Sequence, residues 1–192
     1  MDRITPINPD EATGRTKQLF EGVQARLGII PNLFRVLGHS PAALEGFMNF
    51  SGALDGGVLN TKVRAQIAIA VAEMNYCGYC LSAHTYFGGK VGLKASEIGA
   101  ARKASAADGR TAAILRLARC IVIKRGELGD NEFKAARAAH LTDAEIVETV
   151  ANVALNILTN YVNHVARTVV DFPEVKPGAG ETIQDAGCGC HA

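Results

Sequence analysis

Apolar positions recur every three to four residues along most of this chain, and almost nowhere every second residue. That period stacks apolar side chains on one face of a helix, so the pattern predicts an all-α fold with no strand. Asn8-Pro9 reads as an N-cap and first-turn proline for a helix over Asp10 to Arg26, with Leu19, Phe20, Val23 and Leu27 on one face and Gly28 and Pro31 ending it. A short element over Asn32 to Leu37 follows. Ser40-Pro41 starts a helix to about Leu54, closed by Gly56-Gly57. Asn60 or Thr61 caps a strongly apolar helix that ends near Tyr76, and Cys77 to Gly88 continues as another.

Further helices are expected over Ser96 to Ala104, Thr111 to Lys124 and Asn131 to Ala139, with Asp108-Gly109 a turn. Thr142-Asp143-Ala144-Glu145 has the form of a capping box and opens the longest helix, to about Val169. Pro173 and Pro177 end regular structure. The organisation expected is an N-terminal helical segment over 1–60 packed on a core over 61–173, then a flexible cysteine-containing tail over 174–192.

Composition narrows the picture. Apolar residues make up 48% of 192, with few aromatics and no Trp. This favours closely packed helices in one well-cored domain. The net charge is +1 and no Lys/Arg run occurs, so neither nucleic acid nor an anionic membrane is an expected partner. No apolar run approaches the roughly 18–20 residues of a membrane span, and Met1 to Pro6 has no apolar signal core. A cytoplasmic location is the expectation.

Five cysteines stand at 77, 80, 120, 188 and 190. An odd number in such a chain argues against a disulfide framework and for redox or metal chemistry. Cys120, within an apolar run, reads as a small buried hydrophobe. Cys77-Gly78-Tyr79-Cys80 sets two thiols one helical turn apart at a helix start, where the positive end of the helix favours thiolate over thiol. His84 follows Cys80 by four residues and falls on the same face. An imidazole there can take a thiol proton, or stabilise the thiolate as imidazolium. Half of a zinc site, completed by Cys188 and Cys190, and inert packing are the competing readings.

The run Arg64-x-Gln66-Ile67-Ala68-Ile69-Ala70-Val71-Ala72-Glu73-x-Asn75-x-Cys77-x-Tyr79-Cys80-x-x-Ala83-His84 resembles the AhpD-like, carboxymuconolactone decarboxylase superfamily, and its peroxidase-related branch in particular. Pro31 to Val36, His39-Ser40-Pro41, Ala151 to Asn156, Thr159 to Ala166 and Asp171-Phe172-Pro173 resemble that branch as well. The resemblance implies an AhpD-like helical bundle that assembles as a dimer, trimer or hexamer. It also implies a peroxidase that needs no cofactor or metal. In its cycle Cys80 attacks a hydroperoxide, Cys77 resolves the sulfenic acid to a disulfide, and His84 relays the proton. A lipoyl protein or thioredoxin-like dithiol then resets the pair. The family's relay glutamate falls at Ala65 here, which leaves Glu73, one turn before Cys77, as the candidate carboxylate.

Tyr79 and His164 are open between packing and lining the site, while His39 and His140 read as structural. The terminal Cys188-Gly189-Cys190-His191 is open between a swinging dithiol, a soft-metal site and no role. As a whole, the chain reads as a thiol peroxidase. The alternative is a dithiol electron relay or soft-metal protein. Decarboxylation ranks below both, because it has no use for the Cys77/Cys80 pair.

Overall fold

In the computed structural model, which describes residues 2–178, the chain folds into helices, and no strand occurs among the described residues. A single 3-10 turn at Pro9–Glu11 precedes α1 (Gly14–Leu27), α2 (Asn32–Leu37) and α3 (Pro41–Asp55). Then come α4 (Thr61–Met74), α5 (Gly78–Lys90), α6 (Ala95–Arg102), α7 (Gly109–Lys124), α8 (Asp130–Ala138) and α9 (Asp143–Ala166). Among the described residues no helix is long and apolar enough to cross a membrane.

Local capping sets most of these boundaries. Ser40, Asn60 and Asp108 each accept a hydrogen bond from the backbone N–H three residues on. Thr142 and Glu145 form the reciprocal capping box of α9. Asp108-Gly109 is therefore a helix start rather than a free turn.

The first helix departs from expectation. Asn8 caps only the 3-10 turn, because Ala12 and Thr13 are extended and Gly14 takes a left-handed φ of 55°. The last helix stops at Ala166, where Arg167 adopts φ 52°.

Helix α4 is the axis of the domain. Every residue from Gln66 to Met74 is buried, and the helix packs against α5, α6, α7 and α9. Its sequence has no polar face because neighbours surround it. Helices α1 to α3 pack on one another and reach α9. Glu148 of α9 fastens the α3–α4 connection by accepting from the Val58 and Leu59 N–H groups at 2.7 and 2.9 Å.

The start of the expected tail is held in place. Val175 N–H donates to Ser82 Oγ (2.9 Å), the Lys176 carbonyl accepts from Arg102 (2.7 Å), and Gly178 N–H donates to Glu73 (2.6 Å). Residues 174–178 are thus tied to α4, α5 and α6. Cys188, Cys190 and His191, the subject of the tail readings, lie outside the described residues.

Candidate active site

The connection from α4 to α5 delivers the two cysteines. Tyr76 sits in the left-handed region (φ 52°), its N–H donates to the Glu73 carbonyl, and Cys77 N–H donates to the Ala72 carbonyl. This is a Schellman ending, built without the usual glycine. It leaves Cys77 as the N-cap of α5, with its sulfur accepting from Cys80 N–H at 3.2 Å. Cys80 is then the third residue of the helix, among N–H groups at the positive end of the dipole.

Both thiols are free and buried. Cys80 also lines a cavity of about 260 Å³ between α5, α9 and the α1–α3 layer, together with Tyr79 and His84. Cys77 and Glu73 do not line it. The walls are mostly apolar, with Phe34, Phe47, Phe87 and Phe172 among them, and Arg64, Asn152 and Asn156 are among the polar exceptions.

Helix α9 supplies what the sulfur needs. Asn163 Nδ2 donates to Cys80 Sγ at 3.1 Å. Asn160, fully buried, accepts from Asn75 at 2.9 Å and keeps a second amide atom, Nδ2, without a partner. Burial alone pushes the Cys80 thiol up. Hydrogen bonding, led by Cys77 and Asn163, outweighs it and brings the thiol below its ordinary value. Cys77 moves the other way, since its hydrogen bond to Cys80, its burial and the Cys80 charge all keep it protonated. Of the two thiols, Cys80, the one that faces the cavity, is the first to ionise.

His84 is only partly buried by area, yet the groups crowding its ring strip its water. Desolvation lowers its pKa to about 4, against a smaller raising effect from Asn156. Of its two expected roles, burial favours the neutral imidazole.

These shifts predict how Cys80 alkylation by iodoacetamide depends on pH. The rate should rise as pH climbs through a midpoint below the ordinary thiol value of 9.0 and then level off. No second step should appear between pH 5 and 8, because His84 has already lost its proton. A midpoint at 9 or above would contradict the assignment of the charge to Cys80.

The remaining sequence candidates fall away from the cavity or serve packing. Glu73 is buried, in an ion pair with Arg102 at 2.7 Å and with Gly178 N–H on its other oxygen. Tyr79 accepts from Leu33 N–H at 3.0 Å and stacks edge-on against Phe172, fixing α2 and the chain after α9 to the wall. His164 is exposed and bonds the Asn75 carbonyl at 2.8 Å. His39 bonds the Thr5 carbonyl, and His140 forms the left-handed turn after α8. Cys120 is buried as expected. Among the described residues no group of three His, Cys, Asp or Glu side chains is placed to hold a metal ion. The α9 amides are what the sequence reading undervalued. Asn152, Asn156, Asn160 and Asn163 repeat at helical spacing on a buried face, which is itself a signal.

Comparison with known proteins agrees with this geometry. No curated protein matches the sequence. Among solved structures, an uncharacterised peroxidase-related protein with an alkylhydroperoxidase AhpD core, from Ralstonia eutropha JMP134, superposes with a TM-score of 0.76 at 24% identity, covering 88% of this chain and 92% of that one. The debrominase Bmp8, in complex with 2,3,4-tribromopyrrole, gives 0.75 at 18%, covering 88% and 91%. A peroxidase-related protein from Silicibacter sp. TM1040 gives 0.74 at 20%, covering 87% and 92%. Residues 41–122, which hold α4, α5 and both cysteines, match the carboxymuconolactone decarboxylase family. The helical core of this chain thus matches the carboxymuconolactone decarboxylase family over those residues, and its fold is the one seen in AhpD-like proteins.

Proposed function

We propose that this protein is a thiol peroxidase that reduces organic hydroperoxides through Cys80 and Cys77. The observation that carries the reading is a cavity-facing sulfur at a helix start, held by Asn163 Nδ2 at 3.1 Å and backed by a second thiol. The Cys80 thiolate attacks the terminal peroxide oxygen. The O–O bond breaks, the alkoxide leaves with one proton as an alcohol, and Cys80 becomes a sulfenic acid. His84, neutral and in the same cavity, is the relay for that proton.

Two buried atoms beside the sulfur lack partners, Asn160 Nδ2 and Asn163 Oδ1. A donor and an acceptor are what the hydroxyl of a sulfenic acid can use. Cys77 then displaces water from that sulfur to form the disulfide. An external dithiol, a lipoyl group or a thioredoxin-like protein, returns both thiols and leaves oxidised itself. Glu73 we assign to positioning, not to the relay.

The expected homo-oligomer has support in α9. Val147, Val150, Ala154, Leu158, Tyr161 and Val165 form an exposed apolar stripe at three- and four-residue steps, suited to a second copy.

The likeness to a debrominase, with the aromatic walls, supports a second reading. There the thiolate would take bromine from an aryl ring, the ring would gain a proton, and Cys77 would release bromide as the disulfide forms. One assay separates the two. Purified protein with dihydrolipoamide is given cumene hydroperoxide in one arm and a bromopyrrole in the other. Alcohol formation with multiple turnovers is expected in the first arm. Bromide release without alcohol formation favours the second reading, and neither product overturns both.

A further inference from the structure

Arg64 is the one permanently cationic side chain among the described residues lining the cavity. It stands on the first turn of α4. Its guanidinium is mostly withdrawn from solvent, at 14% side-chain exposure. Nη1 donates to Asp55, and Nη2 makes a long 3.3 Å contact with Thr61 Oγ1. Nε is buried and has no partner. Asp55 is shared, because Arg26 donates to it as well. Two cations on one carboxylate leave an excess positive charge here.

A buried guanidinium N–H without an acceptor is unfavourable, and it is rarely left that way unless something else supplies the oxygen. The Nε edge of an arginine, with the adjacent Nη, is the fork that receives a carboxylate. Here one prong is unpartnered and the other weakly held. The rest of the cavity is built for a different kind of group. Leu27, Phe34, Phe47 and Ser51 also line a neighbouring cavity of about 110 Å³ that reaches Arg26. Cys80 and His84 line the same cavity as Arg64. The site therefore combines a cation, largely apolar walls and a reactive thiol in one cavity.

We infer that Arg64 anchors the carboxylate of an apolar acid whose other end reaches Cys80. The substrate class is a small aryl or medium-chain alkyl acid carrying the reducible group, a hydroperoxide in the reading above. A volume of about 260 Å³ is at the small end for ligand pockets, which suits one ring or a medium chain and excludes a long-chain lipid. The inference rests on the proposed function only for the chemistry at Cys80. The carboxylate anchor stands independently of it.

The test uses the full chain with Cys80→Ser, so that no turnover enters, and isothermal titration calorimetry. The probes are 4-phenylbutyrate and octanoate against 4-phenylbutanol and octanol. Each acid is expected to bind roughly 10- to 100-fold tighter than its alcohol. Arg64→Met, which keeps the apolar stem but loses the fork, should bring acid and alcohol together. Asp55 is partly exposed and keeps Arg26, so that variant retains its local ion pair.

As a second measurement independent of the variant, ¹⁵N-arginine spectra should show one Nε–H resonance moving on titration with octanoate and not with octanol. Equal binding of acid and alcohol, a preference that survives Arg64→Met, or no binding of any probe would each overturn the inference. A wild-type protein that shows no hydroperoxide turnover, with the acid preference intact, would instead remove only the redox reading.

Discussion

Cys80→Ser is expected to reduce hydroperoxide turnover to background, a loss of roughly 10³-fold or more, since a serine hydroxyl stays protonated where the thiolate forms. Cys77→Ser should behave differently. Cys80 keeps its Asn163 hydrogen bond and its place on the cavity wall, so the first turnover survives. The sulfenic acid then has no neighbour to condense with, and the reaction should stop after about one equivalent per chain unless an external thiol intervenes. A dimedone adduct located by mass spectrometry belongs on Cys80 in that variant. Cys120, buried in α7, should remain unlabelled. Turnover persisting in Cys80→Ser, or the adduct falling on another cysteine, would reverse the assignment of the attacking thiol.

The grouping of the two thiols with His84 was legible in the sequence because it is local, while the choice of Cys80 as the attacking thiol came from the family resemblance. Cys77, Cys80 and His84 lie within two turns of one helix, and an N-cap position follows from spacing alone. The helix starts at Ser40, Asn60, Asp108 and Thr142 are legible for the same reason, since each is closed by a bond to a residue three positions on. The sequence says less wherever distant segments meet. The donors that hold the thiolate come from α9, about eighty residues later, and only their repeat on a buried face hints at them. The placement of Arg64 depends on where α3 ends and presents Asp55.

Glu73 shows how a local argument fails. One turn along a continuous helix would bring it to Cys77, but the Schellman ending at Tyr76 re-aims the chain. The carboxylate meets α6 and the C-terminal segment instead.

Glu73→Ala is expected to be the most damaging change outside the cysteines, and for stability rather than chemistry. The carboxylate is 4% exposed and its partner Arg102 is 18% exposed at the side chain. Removing one member of such a pair strands the other charge, and the fixing of Gly178 is lost with it. Arg102 keeps the Lys176 carbonyl and some access to water, so a cost of about 2–4 kcal/mol is expected, below the upper end for fully buried pairs. In a chain of this length that lowers Tm by roughly 5–15 °C.

Glu73→Gln separates position from chemistry. Its amide oxygen can still accept from Arg102, so the segment over 174–178 stays near α5 with a smaller stability loss. If Glu73 only positions that segment, turnover measured well below Tm should stay within about threefold of wild type. A proton relay would instead lose roughly 10²- to 10⁴-fold. A glutamine variant that melts near wild type and yet is inactive would return Glu73 to the proton path. An active one would leave His84 as the relay.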